Sequence, residues 1–129
     1  MRCFLVFVAM SALAGCANLS HETVAEESMW QAENVIDFMQ TTEISREPTH
    51  FYEDGTMSVF TGPHPSEGQV IAYSALFGAA HFAVTEVLNL ETQGEYPWLE
   101  RTWQFAGLCF KTNVIRTNHR HGLSFTGTF

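Results

Sequence analysis

Apolar side chains recur at helical spacing in three stretches of the chain, and each stretch predicts a helix. The first runs from about Ala25 to Glu43, with apolar residues three or four positions apart. This stripe consists of Met29, Ala32, Ile36 and Met39, widened by Val35 and Phe38. Glu33, Asp37 and Thr41 mark the opposite side. The pattern therefore predicts an amphipathic helix whose apolar side packs into a core.

The second predicted helix covers residues 69–90 and is the most apolar of the three. Ser66 can cap the amide of Gln69 while Gln69 caps that of Ser66, and Glu67 adds an acidic residue to the first turn. Polar side chains share one face of this helix with Gly78, namely Ser74, His81, Thr85 and Asn89. We expect this helix to lie at the centre of a compact bundle.

The third helix is predicted from Trp98 to about Arg116, after a turn at residues 91–97. Its apolar stripe consists of Leu99, Trp103, Ala106, Phe110 and Val114. Cys109 lies between two large apolar neighbours, which predicts a buried, unreactive thiol rather than a nucleophile.

The segment between the first two helices is irregular. Residues 49–60 are compatible with a small hairpin that turns at Asp54-Gly55, and equally with an ordered loop. Gly62-Pro63-His64-Pro65 then ends any regular element. The predicted fold class is all-α: a small bundle of about three helices, with an irregular loop or short hairpin between the first two.

The first residues of the chain follow a different pattern. Met1-Arg2 gives a positive start, and the apolar run from Phe4 to Leu13 is interrupted only by Ser11. A run of about ten apolar residues is too short to span a bilayer but suits the hydrophobic region of a secretory signal. Small residues precede Cys16, and a signal peptidase needs narrow side chains near its cut.

Leu13-Ala14-Gly15-Cys16 resembles the lipobox of bacterial lipoprotein signal peptides residue by residue. The resemblance implies that residues 1–15 are a signal peptide and that Cys16 is acylated, for example with palmitate. Two or three acyl chains would give a stable membrane anchor. The remaining chain divides into an acidic tether at residues 16–28 and a helical domain at residues 29–129. In many lipoproteins of this kind an Asp after the lipidated Cys retains the protein at the inner membrane; this chain has Ala17 there, and the resemblance therefore favours the outer over the inner membrane.

The charge is unevenly distributed around a net value of −8. Ten acidic residues between positions 22 and 67 face the single base Arg46. The last thirty residues reverse this balance, with Glu100 against Arg101, Lys111, Arg116 and Arg120. An acidic front half argues against nucleic-acid binding, which requires Lys and Arg to neutralise phosphates.

Few residues have the pattern of a catalytic or metal site. His81 is a titratable group in an apolar helix, and Asp37 is a possible partner across the bundle. The alternative is a core histidine that bonds to a neighbouring helix. His119 and His121 could chelate a metal together with His64 or His50, but carboxylates and cysteines are missing at ligand spacing. We therefore predict neither a metal site nor a cofactor.

Several segments together resemble small uncharacterised lipoproteins and membrane proteins of proteobacteria and their phages. They are Asp37-Phe38-Met39-Gln40-Thr41, Gly62-Pro63-His64-Pro65-Ser66, His81 and the ending from Asn113 to Gly122. That group has an Asn-Pro loop where this chain has Asp54-Gly55-Thr56-Met57. The resemblance implies a small helical membrane-associated protein without a defined activity.

Functionally, the sequence predicts a lipid-anchored lipoprotein on the periplasmic side of the bacterial envelope. We expect a binding or structural role, membrane lipid as one partner through Cys16, and an envelope or outer-membrane protein as another. The alternatives are an envelope hydrolase centred on His81 and a small integral membrane protein with a helical hairpin. Such a hairpin, with Cys16 outside, would put the acidic residues 91–95 in the cytoplasm, against the positive-inside pattern. Insertion of the first helix as well would repair that orientation.

Overall fold

The computed structural model describes residues 19–53, 55–92 and 95–123. Within these ranges the chain is all-α, as predicted, with three long helices and one short one. The long helices are α1 (His21–Arg46), α3 (Glu67–Thr92) and α4 (Pro97–Arg120), and the short helix is α2 (Ser58–Thr61). Cys16, the signal peptide and the C-terminal residues 124–129 lie outside the described residues.

Local capping explains where the long helices begin. At the start of α1, Ser20 Oγ accepts from the amide of Thr23 at 3.1 Å. At α3 the predicted reciprocal cap is confirmed, because the Gln69 amide donates to Ser66 Oγ at 3.3 Å and the Ser66 amide to Gln69 Oε1 at 2.8 Å. Helix α4 begins at Pro97, a residue whose fixed φ suits the first turn.

Helix α1 begins at His21, four residues before the predicted start near Ala25. Its first two turns consist of residues 21–28, which the sequence pattern assigned to an acidic tether. Glu27 is buried there against α3 and α4. The first turns of α1 therefore take part in the packing of the bundle.

Cross-helix contacts define the direction of each helix in the bundle. Helices α1 and α3 are antiparallel, since Glu27 contacts Thr85 while Arg46 contacts Glu67 at the other end. Helices α1 and α4 are parallel, since Glu27 also contacts Gln104 and later residues of both helices pair in the same order. The start of α1 and the end of α4 consequently lie at opposite ends of the bundle.

The segment between α1 and α3 is an ordered loop, and the hairpin alternative is not observed in its described part. The amide of Glu53 donates to the carbonyl of Pro63 at 2.8 Å, which closes the loop into a compact unit. Met57 is buried beneath it, and the short helix α2 follows. Gly62 ends that helix with a φ of +79°, a left-handed conformation that glycine adopts without strain.

The predicted apolar stripes do not form the core of the bundle. Among the described residues, eleven buried side chains are polar or charged and only five are hydrophobic. On α1, Met29 and Ala32 of the predicted stripe are exposed, while Glu27 and Asn34 are buried. The amphipathic pattern was recognised correctly, but the prediction of which side faces inward was wrong.

Helices α3 and α4 show the same inversion. Every exposed position from Ile71 to Leu90 of α3 is apolar, whereas the predicted polar face at Ser74, His81 and Thr85 is buried. On α4, the stripe residues Leu99, Ala106 and Phe110 are exposed. Cys109 is exposed as well, so the prediction of a buried thiol is wrong. The three long helices therefore turn polar side chains to one another and apolar side chains outward.

Candidate functional site: a polar cluster at the centre of the bundle

The carboxylate of Glu27 is the centre of a buried hydrogen-bonded cluster contributed by all three long helices. Its Oε1 accepts from Gln31 Nε2 at 2.7 Å, within α1. Its Oε2 accepts from Thr85 Oγ1 at 2.9 Å and from Gln104 Nε2 at 3.1 Å, and it lies 3.0 Å from His81 Nδ1. Four donors thus compensate a carboxylate that the helices remove from water.

The imidazole of His81 is enclosed between two indoles. The Trp30 ring stacks on it with centroids 3.8 Å apart and an interplanar angle of 9°. On the other side, the Trp103 ring lies at 4.8 Å and 25°. His81 itself is only 5% exposed. The ring is therefore held in one orientation, with Nδ1 towards Glu27 and Nε2 towards α4.

Close approach of α4 to this ring depends on Gly107. A Cβ atom at this position would lie 2.7 Å from His81 Nε2 and 3.0 Å from Trp30 Nε1. Both distances are shorter than ordinary contacts, so a larger residue would force the helices apart. Gly107 thereby closes the cluster on the α4 side.

The hydroxyl of Thr85 connects the carboxylate to α4. It accepts from Gln104 Nε2 at 2.9 Å and from Trp103 Nε1 at 3.2 Å. Because its own proton is directed to Glu27 Oε2, it joins two donors of α4 to an acceptor of α1. This single hydroxyl links all three long helices.

Two buried atoms of the cluster have no hydrogen-bond partner among the described residues. They are Nε2 of His81 and Oε1 of Gln104. An imidazole that donates through Nδ1 in its neutral form has a lone pair on Nε2, so both atoms are then acceptors. The cluster has two acceptors in excess, a feature that native interiors rarely tolerate without a functional or structural reason.

A second buried pair lies further along the bundle. Lys111 Nζ of α4 contacts Asp37 Oδ2 of α1 at 2.5 Å, and Asn118 Nδ2 donates to Asp37 Oδ1 at 3.3 Å. Lys111 also lies over the Phe77 ring, 4.9 Å from its centroid. The amine is 3% exposed and the carboxylate 17%, so the pair is screened from water on its α4 side.

The predicted catalytic residues His81 and Asp37 have different partners in the structure. His81 contacts Glu27, whereas Asp37 contacts Lys111 and Asn118. His81 bonds to a neighbouring helix, as expected for a core histidine. The tail residue His121 and the loop residue His50 line a cavity of about 250 Å³ near the end of α4. Within the described ranges, no group of three or more His, Cys, Asp or Glu side chains is placed to hold a metal ion.

Sequence reasoning found one face of this cluster and missed the other two. It identified the row of His81 and Thr85 on α3, but it passed over Glu27, Gln104 and Lys111. A usable signal was present, because polar residues also recur at helical spacing on the other two helices. These rows are Thr23, Glu27, Asn34 and Thr41 on α1, and Glu100, Gln104, Gly107 and Lys111 on α4.

The comparisons with known proteins identify no relative. No protein-family model, no curated protein and no solved structure matches the chain.

Proposed function

We propose that this chain is a small membrane protein of the bacterial cell envelope, whose three long helices cross the bilayer and whose Cys16 carries a lipid anchor on the periplasmic side. Its role is binding or structural, with an envelope protein as the partner. The inverted distribution of polar and apolar side chains is the observation that carries this proposal.

The outward surface of the bundle suits hydrocarbon rather than water. No described residue that is exposed is charged within residues 25–45 of α1, 68–90 of α3 or 102–115 of α4. Large apolar side chains are exposed instead, including Leu76 at 71% and Phe105 at 70%. A water-soluble helical domain buries such residues, whereas lipid accepts them on the outside. The charged residues of these segments are buried or partly buried, as expected inside a membrane.

Helix length agrees with this interpretation. Helix α3 over Glu67–Glu91 is long and apolar enough to cross a membrane, and only 28% of its most apolar stretch is buried. Its 25 residues extend over about 37 Å, against a hydrocarbon core of about 30 Å. A core helix of a soluble protein would be mostly buried. Among the described residues α3 is the one helix that meets this test of length and composition; α1 and α4 match it in length, with 26 and 24 residues, but not in apolar content.

The two ends of the bundle differ in charge, as the two ends of a membrane-spanning protein do. Three arginines, Arg46, Arg116 and Arg120, lie at the end that holds the α1–α3 loop, whereas one arginine, Arg101, lies at the opposite end near the acidic turn at residues 91–95. With Cys16 outside the cytoplasm, three crossings put the three arginines inside and the acidic turn outside, in agreement with the positive-inside rule. The objection to a two-helix hairpin does not apply to three crossings.

Aromatic side chains are exposed near both ends of the helices. Tyr96 and Trp98 are 53% and 60% exposed at the start of α4. Tyr52 in the loop at the other end is 64% exposed. Tyr and Trp are enriched where a membrane protein crosses from hydrocarbon to headgroups. Because spanning helices with this charge pattern are typical of the cytoplasmic membrane, the proposal favours the inner membrane over the outer membrane suggested by Ala17.

Cysteine labelling in spheroplasts tests the three crossings directly. In a Cys109→Ala background, we would compare Glu95→Cys with Glu47→Cys, two exposed glutamates at opposite ends of the bundle. A membrane-impermeant maleimide should label position 95 in intact spheroplasts and position 47 only after permeabilisation. Labelling of both positions without permeabilisation would instead indicate a peripheral domain whose apolar face is covered by a protein, and would exclude the proposal.

The lipid anchor needs a separate experiment, because it lies outside the described residues. Cys16→Ser should abolish incorporation of labelled palmitate and leave an uncleaved precursor. The same variant should still resist alkaline carbonate extraction if the helices span the bilayer. Palmitate label retained in the variant would refute lipidation at Cys16, whereas a carbonate-soluble variant would refute spanning.

A further inference from the structure

His81 contacts Glu27 through Nδ1, which lies 3.0 Å from Glu27 Oε2. The other imidazole nitrogen, Nε2, has no partner among the described residues. Nε2 faces Gly107, where even a Cβ atom would be too close, so a bulky partner cannot reach it. The Oε1 atom of Gln104, whose Nε2 binds the same carboxylate, is also buried and unpaired among the described residues. The described part of the cluster thus contains two unsatisfied acceptors when His81 is neutral.

One additional proton changes this balance. A proton that binds to the lone pair of Nε2 turns an unsatisfied acceptor into a donor, so the described cluster then has an unpaired N–H beside Gly107. The N–H bond forms as an O–H bond of hydronium breaks and leaves water, and release of the proton reverses both changes. The combined charge of Glu27 and His81 changes from −1 to zero, which lowers the cost of burying them.

We propose that Glu27 and His81 form a proton-binding site, which holds one exchangeable proton between the three long helices. The carboxylate lies beside the imidazolium, and the faces of Trp30 and Trp103 stabilise its positive charge. Gly107 makes the contact between α4 and His81 sensitive to protonation, because the new N–H points at the surface where α4 touches His81. Proton binding is therefore coupled to the packing of α4.

Other charged groups surround the site on each helix packed against it. Glu86 follows Thr85 on α3, and Glu100 of α4 bonds to Thr23 of α1 near the same end. Both side chains are partly buried. On the other side, Lys111 lies 5.6 Å from the centroid of the Trp30 ring, and Asp37 offsets its charge. The site is buried by the helices themselves, so it stands whether lipid or protein covers the outward face.

Tryptophan fluorescence offers a direct measurement, since two of the three tryptophans stack on His81. The full-length protein in detergent micelles would be titrated from about pH 9 to about pH 4, where imidazole and carboxyl groups change charge. An imidazolium quenches a stacked indole, so emission should fall in one single-proton transition. His81→Gln should abolish the transition, whereas Trp98→Phe, which alters the exposed tryptophan, should retain it.

Further variants test whether the fluorescence transition comes from His81 and the two tryptophans stacked on it. The double substitution Trp30→Phe and Trp103→Phe should remove the transition without changing the histidine. Glu27→Gln should alter the transition, because the imidazole loses its carboxylate partner at Nδ1. Glu86→Gln should keep it, with at most a shifted midpoint. Circular dichroism identifies any variant that does not fold. A flat curve for the unmodified protein, or a transition that survives in folded His81→Gln, would overturn the proposal.

This experiment is independent of the membrane topology. A proton transition in a protein that carbonate extracts from membranes would support the site and refute spanning. Labelling of position 95 in intact spheroplasts and of position 47 only after permeabilisation, together with a flat fluorescence titration, would support spanning and refute the proton-binding site.

Discussion

The interior of the bundle and its outward face differ in composition, and the difference shows what holds each of them in place. Inside, Glu27, His81 and Gln104 join the helices through directed hydrogen bonds. Outside, Leu76, Phe105 and their neighbours are exposed and contact little of the protein. Hydrogen bonds of this kind are strongest where water is excluded, so the interior depends on what covers the exterior. The two regions therefore have to be tested together.

The buried ion pair gives the largest expected effect inside the bundle. Lys111→Met removes the amine and leaves Asp37 without its charged partner, which should lower the free energy of unfolding by about 3–5 kcal/mol. The measurement is unfolding in mixed micelles, followed by circular dichroism. Adding Asp37→Leu should recover much of the loss. As a matched control, Arg101→Met breaks the exposed pair with Glu22 and should cost about 1 kcal/mol or less. Equal losses in the two single variants would mean that burial does not distinguish these pairs.

A charge on the outward face should give the next largest effect. Leu76→Lys places an ammonium group on the exposed side of α3, near the middle of the predicted span, and should cost about 2.5–3.5 kcal/mol of membrane insertion. Carbonate extraction in the Cys16→Ser background measures the inserted fraction. Gly68→Lys is the control, because it adds the same group in open space at the end of the helix. If both variants insert equally well, the outward face is not in contact with lipid.

The hydroxyl of Thr85 should matter more than that of an outward threonine. Thr85→Val keeps the shape but leaves Glu27, Gln104 and Trp103 each short of a partner, at a cost of about 1–3 kcal/mol. Thr102→Val removes an exposed hydroxyl that, among the described residues, donates to the carbonyl of Trp98 in its own helix, and should change stability by less than about 0.5 kcal/mol. Unfolding in micelles measures both. Similar values would contradict the central role given to this cluster.

The smallest effect is expected at the ends of the helices, where side chains lie outside both the buried interior and the proposed lipid-facing surface. Arg46→Ala removes a half-exposed ion pair with Glu67 that joins the end of α1 to the start of α3. Exposed pairs contribute about 0–1 kcal/mol, so the unfolding free energy should hardly change. The change should be smaller still at high salt, which screens the pair. A loss comparable to that of Lys111→Met would show that the bundle is held at its ends.

Much of the helical architecture could be predicted from the sequence. The periodicity at residues 69–90 and the reciprocal cap at Ser66 and Gln69 identified α3, since both depend on residues close together in the chain. The choice between hairpin and loop at residues 49–60 could not be made, because the loop is closed by the contact of Glu53 with Pro63 beyond that segment.

The orientation of the helices could not be predicted from periodicity alone. A stripe such as Met29, Ile36 and Met39 shows that a helix has two different sides, but it does not say which solvent surrounds the bundle. The polar row of α3 was noticed because His81 is conspicuous in an apolar helix. Glu27 was overlooked because it stands among other acidic residues, which made its segment resemble a solvated tether.

The wide separation of Glu27 from its partners also bears on how the protein is made. Gln31 is its only donor within α1 in the structure, and the others are supplied by residues 54, 58 and 77 positions later. If the helices span the bilayer as proposed, α1 emerges during synthesis with a carboxylate that only Gln31 yet compensates, and it cannot settle in hydrocarbon until α4 has been translated. An insertase or the translocon would have to shelter it until then. The long helix that is made first would thus be the last of the three to reach its final place.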